Sequence, residues 1–161
     1  MKIELLTLDK TDPHFQGYLL GTFSKDLRAI PVQSLNVHQT THLVTFKILK
    51  KEDIVPPFLG MHWIQILKIR NLIMVAFPIF LTIINLLSAH QQIDWIYGIL
   101  ASLGAFSLLI AVNLHNDYLD HLSGLDRLHP DSRNRVIQKG WVTANQMKNW
   151  SFFYGLLGGL L

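Results

Sequence analysis

Between Asn71 and Asn116 the sequence carries a single formal charge, Asp94, in 46 residues. A helix on the surface of a soluble domain is apolar along one stripe and polar along the other, whereas these stretches are apolar all round, as helices facing lipid must be. Composition agrees: half of the 161 residues are hydrophobic, 16% are charged, and the mean hydropathy is +0.28. A simple soluble enzyme and a disordered tail are excluded on that ground. The absence of cysteine excludes a disulfide-stapled module and any thiolate metal site. The net charge of +3 does not point to nucleic acid, because the basic residues flank apolar stretches instead of forming a run.

The expected fold is an all-α membrane protein, the start of a transmembrane helical bundle over residues 62–161, preceded by a small cytoplasmic segment of mixed structure over residues 1–61. In that first segment Lys2–Leu8 and His42–Leu49 are rich in apolar and β-branched residues and predict short strands. Turn signals at Asp12-Pro13, Gly17, Gly21 and Pro31 separate them, and no targeting helix or signal peptide opens the chain. The segment is too short to bury a large core alone, so it is expected to lean on the membrane part or on a partner. Pro56-Pro57 marks a break and Trp63 an interfacial anchor.

Two spans follow. Residues 72–89 would rise roughly 27 Å as a helix, close to the ~30 Å of a hydrocarbon core, with Pro78 inside. Residues 93–114 form the second span, which holds the small residues Gly98, Ala101, Ser102, Gly104 and Ala105. A polar stretch at 115–149 is expected as a cytoplasmic loop, followed by a third apolar run at 150–161 that is too short to span. This pattern predicts a piece of a longer bundle. Lys47, Lys50, Lys51, Lys68 and Arg70 precede the first span; Arg127, Arg133, Arg135, Lys139 and Lys148 follow the second; the loop between has no lysine or arginine. The N-terminal segment and the 115–149 loop are therefore expected on the cytoplasmic side.

The chemistry concentrates at the end of the second span. If the helix continues, Asn113, Asp117, Asp120 and Gly124 share a face, with Asn116 adjoining. Asp117, Asp120 and Asp126 would then repel one another at a helix C-terminus near the membrane boundary, where negative charge is disfavoured twice. An all-oxygen donor set of this kind suits Mg²⁺ bridging to a diphosphate. The plain alternative is a set of helix-end polar residues paired with neighbouring basic groups. His115 and His121 read as interfacial hydrogen-bonders, and Tyr118 and Trp141 as belt aromatics or as the lining of an aromatic site.

The string Asn116-Asp117-x-x-Asp120, followed by Gly124 and Asp126 and preceded by Asn113-Leu114, resembles the first aspartate-rich motif of the UbiA superfamily of intramembrane aromatic prenyltransferases. It is most similar to the version found in 1,4-dihydroxy-2-naphthoate polyprenyltransferases of menaquinone biosynthesis. Arg133 to Thr143 resembles a later loop of that family, and Lys68-Ile-Arg70 the basic start of its first helix. The resemblance implies an enzyme of the cell inner membrane that transfers a polyprenyl group from its diphosphate to an aromatic acceptor. It implies Asp117 and Asp120 as catalytic residues, Mg²⁺ held by Asn116, Asp117, Asp120 and Asp126, and diphosphate contacts from Asn113, Asn116, Arg135 and Lys139. Asn71 and Val136 stand where that family commonly has proline. The second aspartate motif would have to come from further helices or a second chain, so the 161 residues alone are expected to be inactive. The rival expectation is a non-enzymatic membrane scaffold with a partner-binding N-terminal segment. A CDP-alcohol transferase is disfavoured because its DGxxAR string does not occur, and the loop motif of an EF-hand is likewise absent.

Overall fold

The computed structural model describes residues 4–32, 42–55, 58, 61–125 and 135–161. The alternation of Val44, Phe46 and Ile48 on one side of an eight-residue strand organises the first part of the chain. This strand, β3 (Leu43–Lys50), lies between β1 (Glu4–Asp9) and β2 (Leu27–Pro31) in an antiparallel sheet of order β1-β3-β2. Glu4 pairs with Ile48, and Leu27 with Lys50. Pro31, which has no N–H to give a ladder, sits at the last position of an outer strand. Helix α1 (Phe15–Leu20) covers one face of the sheet, its Phe15 ring meeting Phe46 edge-on at 5.8 Å. Asp9 closes the turn after β1; its carboxyl accepts the Thr11 backbone N–H and hydroxyl, which holds it below the ordinary aspartate range.

The expected strands at 2–8 and 42–49 correspond to β1 and β3 within their described residues. The label all-α is corrected by the three-stranded sheet: β2 and α1 went unexpected, because LRAIP has no alternation and six residues make too short a helical pattern to read. The break expected at Pro56-Pro57 lies outside the described residues.

Two helices are long and apolar enough to cross a membrane, α3 (Ile69–Ser88) and α4 (Trp95–Ser123). A short helix, α2 (Met61–Leu67), precedes them, and α5 (Ala144–Leu160) closes the chain. No residue of α3 is buried, and large apolar side chains such as Met74, 78% exposed, point away from the protein. Contiguous apolar surface of that extent is what a lipid-facing helix presents. Polar atoms inside these helices are bonded locally: Thr82 Oγ1 donates to the Pro78 carbonyl and Ser102 Oγ to that of Gly98. Asp94, the lone charge of the apolar region, caps α4 by accepting the N–H groups of Ile96 and Tyr97.

The boundaries differ from expectation in two places. The second span does not stop at 114, because nothing breaks the helix before Gly124, which ends α4 in the left-handed conformation at φ 79°. The polar loop is shorter than 115–149, because Thr143 and Gln146 form a reciprocal capping box that starts α5 at Ala144 instead of at 150.

A second core of Ile66, Leu114, Val136, Ile137, Val142 and Met147 joins α2, α4, α5 and the 135–142 segment. The sheet unit leans on it as expected: Leu122 of α4 packs into the sheet's core, and buried His121 meets the Leu19 carbonyl at 2.9 Å. Gly21 and Gly140 lie in this seam with positive φ, and a Cβ on either would stand within 3 Å of Thr143 or of Ile30 and Ile54.

Helices α4 and α5 cross where Gly158 meets Gly104; a Cβ on Gly158 would sit 2.8 Å from the Gly104 carbonyl oxygen, whereas Gly98 and Gly159 face open space. Gly158→Val should therefore lower the denaturation midpoint of the detergent-solubilised chain by an overpacking cost of about 1–3 kcal/mol. Gly159→Val, one position on, should change it little; equal effects of the two would refute the crossing.

Candidate functional site

The continuation of α4 past 114 places Asn113, Asp117 and Asp120 on one face, as the spacing predicted. Asp117 is buried at 6% side-chain exposure, and its Oδ1 accepts from Lys68 Nζ at 2.6 Å. Lys68 is the residue between α2 and α3, left-handed at φ 49°, a conformation few non-glycine residues take. Arg135 Nη1 donates to Asp120 Oδ2 at 2.6 Å and lies 3.9 Å from Asp117 Oδ1. The two carboxylates thus converge on one guanidinium nitrogen. Their repulsion is offset by side chains of the protein itself.

One turn earlier, Asn71 Nδ2 donates to Asn113 Oδ1 at 3.4 Å, while the buried Nδ2 of Asn113 has no hydrogen-bond partner among the described residues. A buried donor left unbonded is costly, and a ligand oxygen would relieve it. Residues 135–140 wind into turns closed by Gly140 and carry Lys139 beside them. Its Nζ reaches Gln65 Oε1 at 3.4 Å and stands 4.5 Å above the Trp141 ring. These groups border an open cleft of about 910 Å³ whose walls include Lys68, Arg70, Asn71, Asp117, Arg135 and Lys139. Four cationic side chains against two carboxylates, Asp117 held by Lys68 and Asp120 by Arg135, leave the cleft with a positive balance that attracts a multivalent anion.

Of the residues singled out from sequence, Asn113, Asp117, Asp120, Arg135 and Lys139 come together around this cleft. Asn116 is not among them: it is exposed and lines a different groove, between α4 and α5. Asp126 lies outside the described residues. Tyr118 and Trp141 pack against the second core, and Trp63 stacks at a tilt on Trp150, 5.1 Å away. Sequence reading missed the pairing of Lys68 with Asp117 and the contact of Asn71 with Asn113. The signal available was the Lys68-Ile-Arg70-Asn71 string itself, polar residues at the mouth of an apolar span.

The donor set is compatible with a hard cation. Asp117 and Asp120 offer carboxylate oxygens at one point, and Mg²⁺ takes one or two carboxylates with water and phosphate oxygens. Among the described residues, no three His, Asp or Glu side chains gather in one place.

Because Asp117 is buried, removing Lys68 leaves its charge with only Arg135, 3.9 Å away, to compensate it. Lys68→Met should destabilise the chain by about 1–3 kcal/mol, less than for a fully buried pair because Lys68 is 34% exposed. Adding Asp117→Asn should recover part of the loss in a double-mutant cycle read by chemical denaturation. Additive losses would show that the two residues do not interact.

The chain matches no family model, no curated protein and no solved structure.

Proposed function

We propose that this chain carries a membrane-boundary site for a lipid diphosphate, in a transferase that moves a polyprenyl group from its diphosphate to an aromatic acceptor. The observation that carries the reading is the convergence of Asp117 and Asp120 on a single cationic point, beside a cleft walled by Lys68, Arg70, Arg135 and Lys139. The resemblance of the Asn116-Asp117-x-x-Asp120 string to the first aspartate motif of the UbiA superfamily supports it from the sequence. In this reading Asp117 and Asp120 would hold Mg²⁺, with Asn116 and Asp126 contributing as the resemblance implies. Bound there, the metal would neutralise charge developing on the diphosphate as the allylic carbon–oxygen bond breaks.

The protein's own residues then have distinct tasks. Arg135 and Lys139 clamp phosphate oxygens, Arg70 adds charge at the cleft wall, and the Asn113 amide donates to an anionic oxygen. The apolar faces of α3 and α4 keep the prenyl chain and its cation away from water. In this reading the protein sits in the inner membrane, and the basic residues flanking the apolar pair support an orientation with this cleft and the N-terminal sheet on the cytoplasmic side.

One observation favours the scaffold reading instead: both described carboxylates already have a cationic partner, so the cluster is also a complete structural ion-pair network. Calorimetric titration of the detergent-solubilised chain with inorganic pyrophosphate, with and without Mg²⁺, separates the two. The transferase reading expects binding that strengthens with Mg²⁺. It also expects Asp117→Asn or Asp120→Asn to remove that dependence, and Lys139→Met to weaken binding about ten- to hundredfold, the effect of losing a charge-assisted hydrogen bond or two. Undetectable pyrophosphate binding, or binding indifferent to both aspartates, would leave the scaffold.

A further inference from the structure

Asp117 Oδ1 faces two cationic nitrogens of different standing, Lys68 Nζ at 2.6 Å and Arg135 Nη1 at 3.9 Å. Arg135 is anchored: Val136 and Ile137, which follow it, are buried in the second core, and its Nη1 is engaged by Asp120 Oδ2 at 2.6 Å. Lys68 stands at a joint. Before it, α2 is fixed through buried Ile66; after it, α3 buries none of its residues. Its side chain is 34% exposed, against 6% for Asp117.

The backbone of that joint is left-handed, at φ 49° and ψ 53°. Lysine lacks the short polar side chain with which Asn or Asp offsets this conformation locally, so the surroundings must impose it. The neighbouring hydrogen bonds are long: 3.4 Å from the Lys68 N–H to the Gln65 carbonyl, and 3.4 Å from Asn71 Nδ2 to Asn113 Oδ1. The short contact in place is the ammonium on Asp117, which joins residues 49 apart in the chain. It also decides what else Asp117 can hold. An ammonium and a divalent cation on one carboxylate oxygen compete for the same lone pairs and repel each other.

We propose that Lys68 is an internal counter-cation: it keeps the Asp117 site closed until a divalent cation displaces it, and its departure releases the first turn of α3 from α4. The inference rests on the reading of Asp117 and Asp120 as a cation site. Lys68 also lines the anion cleft, so the displaced ammonium stays where a phosphate oxygen can replace the carboxylate. Metal affinity and the placement of α3 are then one equilibrium, and each acts on the other by the same factor.

The test uses the full chain in detergent, with Mn²⁺ alone as the probe, its binding followed by loss of the free-ion paramagnetic resonance signal. Lys68→Asn removes the ammonium and suits a left-handed backbone, so the charge is lost without straining the chain. It should bind Mn²⁺ about tenfold more tightly than the wild type, the gain when a competent state of one part in ten becomes the dominant one. Lys68→Arg, which keeps the charge, should show no such gain. Because the chain has no cysteine, nitroxides can be placed cleanly on separate samples at Ile73→Cys in α3 and Leu119→Cys in α4, both exposed positions. Saturating Mg²⁺ should shift or broaden the distance between them in the wild type, whereas Lys68→Asn should show the released distribution without metal. Equal Mn²⁺ affinity of wild type and Lys68→Asn, no binding to either, or a wild-type distance indifferent to Mg²⁺ would each overturn the proposal. Pyrophosphate titration separates this from the reading it rests on. Equal metal affinities beside pyrophosphate binding that strengthens with Mg²⁺ drop the counter-cation and keep the transferase. Tighter metal binding by Lys68→Asn in a chain that ignores pyrophosphate does the reverse.

Discussion

The ion pair between Lys68 and Asp117 is the contact on which the arrangement of the apolar helices depends. Helix α3 buries none of its residues against the described chain, so the hydrophobic effect within the protein cannot fix where it stands. Among the described residues its polar ties to α4 lie at one end: the ammonium of Lys68 on a buried carboxylate, and the Asn71–Asn113 amide contact a turn away. The left-handed backbone at Lys68 is part of that tie, since it turns α2 into α3 at the point where the side chain must reach across. Position and chemistry are thus held by the same few atoms. A ligand that competes for Asp117 also acts on the contact that orients a helix.

The remaining cohesion comes from small residues and from a seam. Gly104 and Gly158 let α4 and α5 approach to backbone contact, which supplies the packing that apolar side chains cannot supply between helices in a lipid environment. In the seam, Gly21 and Gly140 take conformations and leave spaces that no side chain could share. His121 spends its ring there on a main-chain carbonyl of α1, so a histidine within four residues of Asp117 serves the docking of the sheet unit.

The parts of this architecture that are local in the chain were legible in the sequence. The charge-free run gave α3 and α4, the alternation around Phe46 gave β3, and the i, i+4, i+7 spacing put Asn113, Asp117 and Asp120 on one face. The Thr143-x-x-Gln146 box is equally readable and sets the start of α5 ahead of the hydropathy edge at 150. What could not be read were pairings between distant residues, such as Lys68 with Asp117, 49 apart, or His121 with Leu19, 102 apart. Nor could spacing tell Gly104, which touches a neighbour, from Gly98, which does not. Clustered aspartates can be offset by an added cation or by basic side chains, and spacing alone does not show Lys68 and Arg135 arriving from elsewhere. The aspartate motif's resemblance to prenyltransferases rests on the residues themselves.

The seam also imposes an order on synthesis. Thr143, whose methyl group fills the space over Gly21, and His121, which binds the Leu19 carbonyl, lie more than 100 residues after the surfaces they meet. At about 5–20 residues per second, the first strands leave the ribosome roughly 5–25 s before their docking surface exists. The sheet unit must spend that interval with one flank uncovered, and these long-range contacts make its final attachment the slow, late event of folding.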